Sequence, residues 1–156
     1  MLSDDVYITR FRATVASLEA WLQTFGHVAH TEIGRDEASW RMTLTPNVAG
    51  ACPCELMLRV DQCFDLMVGH ELYEDQPIEA LEAFQPLLSA IVEGRVITRT
   101  LSTAATGMPV KVQTIVSPDG QRPWTGSWAL ALPGVTDNPD QLVQRDQHYL
   151  PYARGA

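Results

Sequence analysis

Residues 56–68 read LMLRVDQCFDLMV, and the periodicity of this stretch decides the fold. Leu56, Leu58 and Val60 alternate with Met57 and Arg59, and Phe64, Leu66 and Val68 alternate with Asp65 and Met67. A repeat of two puts one set of side chains on a buried face of a strand and the other on a wet face. Asp61–Gln62 between the runs is short enough to join antiparallel neighbours. The stretch is predicted to be a tight hairpin in an antiparallel sheet with one wet face.

The same period extends upstream. Trp40, Met42 and Leu44 alternate with Arg41 and Thr43, and Val28–Ile33 reads as their partner across the polar GRDE turn at 34–37. Pro46–Pro53 is predicted as a loop. Before residue 28 the period changes: Phe11, Val15, Leu18, Leu22 and Phe25 recur at spacings of four, three, four and three. That is one apolar stripe on a helix over about residues 4–25, with Ser3 at its N-cap, Asp4 and Asp5 in its first turn and Gly26 at its end. Downstream, Ile78, Leu81, Leu88, Ile91 and Val92 define a second helix, capped by Asp75 or Gln76, kinked or split at Pro86 and ended by Gly94. Val96–Leu101 and Val110–Val116 are β-branched runs joined by the STAATG loop, SPDG at 117–120 is a turn, and Trp128–Leu132 adds a last strand.

The expected order is α-ββ-ββ-α-ββ, an α+β domain over residues 1–133. Its antiparallel sheet has five to seven strands, with both amphipathic helices on one face. Residues 134–156 read as a polar tail with a short helix capped by Asp137 or Asn138 and running through Arg145.

Composition removes several function classes. The chain has 156 residues, 46% of them hydrophobic, and a net charge of −8. A chain of this size buries roughly 70% of its extended surface, enough for one core without disulfides. With scattered arginines and Lys111 as the sole lysine, no basic cluster exists to neutralise nucleic acid phosphates or an anionic lipid surface. No run approaches the length of a membrane span. The acidic N-terminus lacks the pattern of a secretory signal, so a cytoplasmic location is expected. Three cysteines do not close a disulfide framework.

Four sets of residues carry candidate chemistry. Cys52, Cys54, Cys63 and His70 are the residue types of a zinc or thiol site, although C-x-C spacing and the lack of a second pair favour small buried thiols instead. Cys54 and Cys63 would face each other if their strands pair. His30 and Glu32 share a strand face, with His27 on the other. HELYED at 70–75 is acidic and precedes the expected second helix, where the helix dipole accounts for its carboxylates. Trp124 and Trp128 fall in a Pro/Gly-rich segment and read either as an aromatic contact site or as a lid on the core. The sequence contains no G-x-S-x-G, no phosphate-binding glycine loop and no H-E-x-x-H.

In size, acidity and the order α-βββ-α-ββ, residues 4–116 resemble the small dimeric chaperones of type III secretion. That resemblance implies a protein that clamps an extended segment of a partner. The leading expectation is a non-catalytic, adaptor- or chaperone-like protein-binding domain that needs no cofactor and associates with a protein partner or itself. Met57, Met67, Trp124 and Trp128 would supply its adaptable apolar surface. The alternative is a small-molecule binder or enzyme with a pocket between sheet and helices, into which Arg41, Arg59, Arg99 and Asp65 project. The direction of those arginines separates the two.

Overall fold

A computed structural model describes residues 2–130 and 141–153. It is α+β, with two α-helices and two antiparallel sheets. Helix α1 spans Asp4–Leu22 and runs into a 3₁₀ turn at Gln23–Phe25. Strands β1 (Ala29–Arg35), β2 (Ser39–Pro46), β3 (Cys54–Arg59), β4 (Cys63–Val68) and β5 (Glu71–Pro77) form a meander in chain order. A 3₁₀ turn at Leu81–Ala83 leads into α2 (Phe84–Val92). Strands β6 (Val96–Thr103), β7 (Pro109–Val116), β8 (Trp124–Ala129) and β9 (Leu142–His148) form the second sheet, in the order β8-β7-β6-β9.

The hairpin that decides the fold is β3–β4, with Leu56 opposite Leu66 and Leu58 opposite Phe64. Its inner residues are buried together with Trp40, Met42 and Leu44 of β2. Helix α1 covers this face with Tyr7, Val15, Leu18 and Leu22. Two polar contacts fix the helix along the sheet: the Tyr7 hydroxyl donates to the Arg59 carbonyl (2.6 Å), and the Trp40 indole donates to Glu19 (2.9 Å). Ser3 stands at the N-cap position, but its side chain makes no capping bond.

The expected single sheet is in fact two, and the helices do not lie side by side on one face. Helix α2 is buried around most of its circumference, through Phe84, Leu87, Leu88, Ala90, Ile91 and Val92. It meets Phe64 of the first sheet edge-on (ring centroids 5.0 Å apart) and contacts β7 of the second. Alternation along a strand assigns faces, not sheets, so the division was hidden. Pro86 sits in the first turn of α2, where a missing N–H costs little. The expected break appears upstream, as the 3₁₀ turn.

Two segments differ in type from expectation. Residues 71–77 are strand β5 rather than the cap of the second helix. Residues 142–148 are strand β9 rather than part of a short helix and tail, while Asp137 and Asn138 lie outside the described residues. Beyond β9 the chain stays bound to the domain and buries Tyr152. Leu150 N–H donates to the Gly50 carbonyl (3.0 Å), Tyr152 N–H donates to the Val92 carbonyl (2.8 Å), and the buried Tyr152 hydroxyl donates to the Cys52 carbonyl. This segment crosses Gly94 so closely that a Cβ there would lie 2.8 Å from the Pro151 nitrogen, and Gly94 also has φ +79°. Both constraints demand glycine. Among the described residues, no helix is long and apolar enough to cross a membrane.

Candidate functional site: an aromatic cleft between the sheets

Strand β5 is the last strand of the first sheet, and its inward residues meet the second sheet. Its register puts Tyr73 opposite Leu66 and Glu71 opposite Val68, so both point to the buried side. There the Tyr73 hydroxyl shares a hydrogen bond with Thr114 of β7 (2.7 Å), and Glu71 accepts from the Trp128 indole (2.7 Å). Tyr73 also packs edge-on against Trp124, with ring centroids 5.4 Å apart. Trp124, Gly126 and Trp128 lie on one face of β8, opposite Val116, Thr114 and Val112. A Cβ on Gly126 would lie 2.7 Å from the Tyr73 ring and 2.8 Å from Trp124, so glycine lets the two rings meet.

Trp124 forms one wall of a cleft of about 330 Å³. Phe64, Phe84 and Leu87 contribute apolar lining, Pro77, Pro118 and Pro123 flank it, and Glu79 and Arg122 supply charge. A second cleft, of about 500 Å³, lies against the same connection between β5 and α2. Leu2, Tyr7, Arg10, Gln62 and Glu82 line it, and it shares Pro77, Glu79 and Ala80 with the first. Both clefts therefore flank one short segment that is rigid at Pro77.

The sequence-predicted residues are not brought together. Arg41 is 53% exposed and faces Glu55 at 3.6 Å. Arg59 holds three carboxylates, Asp75 (2.6 Å), Asp61 (3.2 Å) and Asp65 (3.3 Å). Arg99 pairs with Asp146 of β9 through bonds of 3.0 and 3.1 Å. These bonds hold the Asp146 carboxyl below its ordinary range and raise the Arg99 guanidinium. Strand parity explains the outcome: each arginine alternates with inward residues and so projects from the outer face. None lines either cleft, so the arginine-lined concavity is not realised. Met57 and Met67 lie on the outer face of the first sheet, away from Trp124 and Trp128, and the four do not make one surface.

Cys52 and Cys54 are fully buried, and burial pushes the Cys52 thiol up to about 12 and the Cys54 thiol higher still. Cys54 pairs with Val68, at the far end of the hairpin from Cys63, and points to the opposite face, so these two thiols do not face each other. His70 is exposed in the turn before β5. Among the described residues, no three His, Cys, Asp or Glu side chains are grouped to hold a metal ion. His30 and Glu32 do share a face of β1 and lie 3.2 Å apart, both 70% exposed. His27 precedes the strand.

Sequence reasoning placed Glu71 and Tyr73 in the acidic HELYED segment before a helix and did not connect them with the two tryptophans they seat. Their two-residue spacing was the available signal, obscured because Tyr73 is the one buried side chain of β5. Comparison with known protein families, characterised proteins and solved structures finds no match. The observed order, with five strands before α2 and four after it, departs from the α-βββ-α-ββ pattern of the secretion chaperones.

Proposed function

We propose that this chain is a non-catalytic protein-binding domain, and that the cleft beside Trp124 receives a bulky apolar side chain from an extended segment of a protein partner. The observation that carries the reading is Trp124 itself. It is a large aromatic ring held in place by Tyr73 and Gly126 and left half-exposed at the mouth of an apolar cleft. Ordered aromatic anchors with open neighbouring volume dominate the energetics of protein interfaces. The chemistry around the cleft also supports binding. The Tyr73–Thr114 pair is hydroxyl to hydroxyl, and burial raises the Tyr73 pKa. Neither cleft is lined by a histidine or cysteine, the side chains best suited to proton transfer or nucleophilic attack near neutral pH.

The test is selection of peptide binders from a displayed random library, followed by affinity measurement against wild type and Trp124→Ala. Removing a central aromatic anchor is expected to weaken the selected peptides at least tenfold, about 1.4 kcal/mol or more. The far-ultraviolet circular dichroism of the variant should stay native. A library that yields no binder, or binders indifferent to Trp124→Ala, would overturn the reading. Recovery of a small organic molecule in native mass spectrometry, displaced by neither peptide nor Trp124→Ala, would favour the alternative of a small-molecule binder.

A further inference from the structure

At the other end of the first sheet lies β1, whose outer edge pairs with no strand among the described residues. Sheet edges present unpaired N–H and C=O groups, and natural sheets blunt them with prolines, bulges, short strands, charged side chains or a covering loop. Strand β5 shows such devices: a register shift beside Phe64, a positive φ at Asp75 (+55°) and Pro77. Strand β1 has no proline, bulge or positive φ and pairs with β2 over seven consecutive residues; its charged side chains, Glu32 and Arg35, are exposed.

The hydrogen-bond parity of β1 is fixed by its ends. Asn47 N–H donates to the Val28 carbonyl, and Asp36 N–H donates to the Ser39 carbonyl, each at 3.0 Å. Even-numbered residues therefore turn their backbone groups to β2. Pro46, which has no N–H, agrees with this by standing opposite the odd-numbered Ala29. The odd-numbered Ala29, Thr31, Ile33 and Arg35 turn theirs to the free edge. Ile33 points to the face on which α1 lies, yet is 44% exposed.

We propose that β1 pairs antiparallel with β1 of a second copy across a twofold axis at Thr31. Parity allows only registers in which odd residues face odd residues. With the axis at Thr31, His30 of each copy stands opposite Glu32 of the other, on the outer face, and exposed Ile33 stands opposite Ala29. Moving the axis to Glu32 sets two carboxylates opposite each other, and moving it to His30 sets two imidazoles opposite. Moving it to Ile33 sets Glu32 opposite Gly34, which offers no side chain across the strand pair to meet the carboxylate. An imidazole N–H can donate to a carboxylate that stands opposite it, whereas two facing carboxylates repel, so the Thr31 register is selected. The interface lies at the far end of the sheet from β5 and leaves the Trp124 cleft open; it stands independently of the proposed function.

Sedimentation equilibrium tests the proposal. Wild type is expected to be a dimer. Glu32→Lys, an exposed change that the monomer fold should tolerate, is expected to raise the dissociation constant at least about tenfold. The exchange His30→Glu with Glu32→Lys should restore the dimer. Cysteine pairing then reads the register. In a Cys63→Ser background, oxidised Thr31→Cys should give a covalent dimer, because residues on the axis lie about 5.5 Å apart, within disulfide reach. Ile33→Cys should not, because the two copies of residue 33 would be about 14 Å apart. A monomeric wild type, a dimer unchanged by Glu32→Lys, or cross-linking through Ile33→Cys equal to that through Thr31→Cys would overturn the proposal.

Discussion

At the scale of single residues, burial and strand parity decide what each side chain does. Cys52 and Tyr7 are almost wholly buried, and burial raises both to about 12, from ordinary values of 9.0 and 10.0. Burial also raises Cys54, Tyr149 and Tyr152. The consequence for stability has a definite sign. Well below pH 9 the Cys52 thiol is protonated in folded and unfolded chains alike, and its contribution does not change. Between pH 9 and 12 the unfolded chain releases the proton and the folded chain keeps it, so stability falls as pH rises. Each such group costs about 1.4 kcal/mol per pH unit within its window. Urea midpoints should be level from pH 7 to about 8, begin to fall toward pH 9 and then drop steeply, with Cys52→Ala dropping less between pH 9 and 10 than wild type. The fates of the arginines follow from position alone: Arg41, Arg59 and Arg99 each alternate with inward residues, and so meet carboxylates on an outer face instead of a cleft.

At the scale of elements, legibility tracks how asymmetrically each strand is buried. Strands β2, β3 and β4 alternate cleanly between buried and partly exposed positions, and their sequences show it. Strand β5 buries only Tyr73, and none of the residues of β9 is buried. Neither therefore has an apolar period, and their acids and amides imitate a helix start and a tail. Helix α2 is apolar on most sides because two sheets enclose it, and the sign of a second layer is Leu87 and Ala90, buried outside the single stripe of Leu88, Ile91 and Val92. The C-terminal segment is the element where the two readings separate most sharply. A dispensable tail predicts that truncation after residue 140 leaves the domain intact. Here β9 pairs with β6 over seven residues, and Tyr152 is buried beside Cys52. Removal of residues 141–156 should abolish cooperative thermal unfolding, or lower its midpoint by 10 °C or more, an effect of about 3 kcal/mol or more for a domain of this size.

At the scale of the whole molecule, two sheets enclose α2 and leave an aromatic cleft where β5 of one meets β8 of the other. The central claim is that this cleft is where a partner docks. Four tryptophans make it directly observable. Trp40 is 1% exposed and tied to Glu19, Trp21 packs on Phe25 beside α1, Trp128 is tied to Glu71, and Trp124 borders the cleft. The indole N–H resonances of nitrogen-15-labelled protein, assigned by single Trp→Phe variants and followed during titration with a selected peptide, report on all four at once. The account predicts a large saturable shift at Trp124, a smaller one at Trp128, and little change at Trp21 and Trp40. A bound peptide that moves Trp21 or Trp40 and leaves Trp124 in place would contradict it.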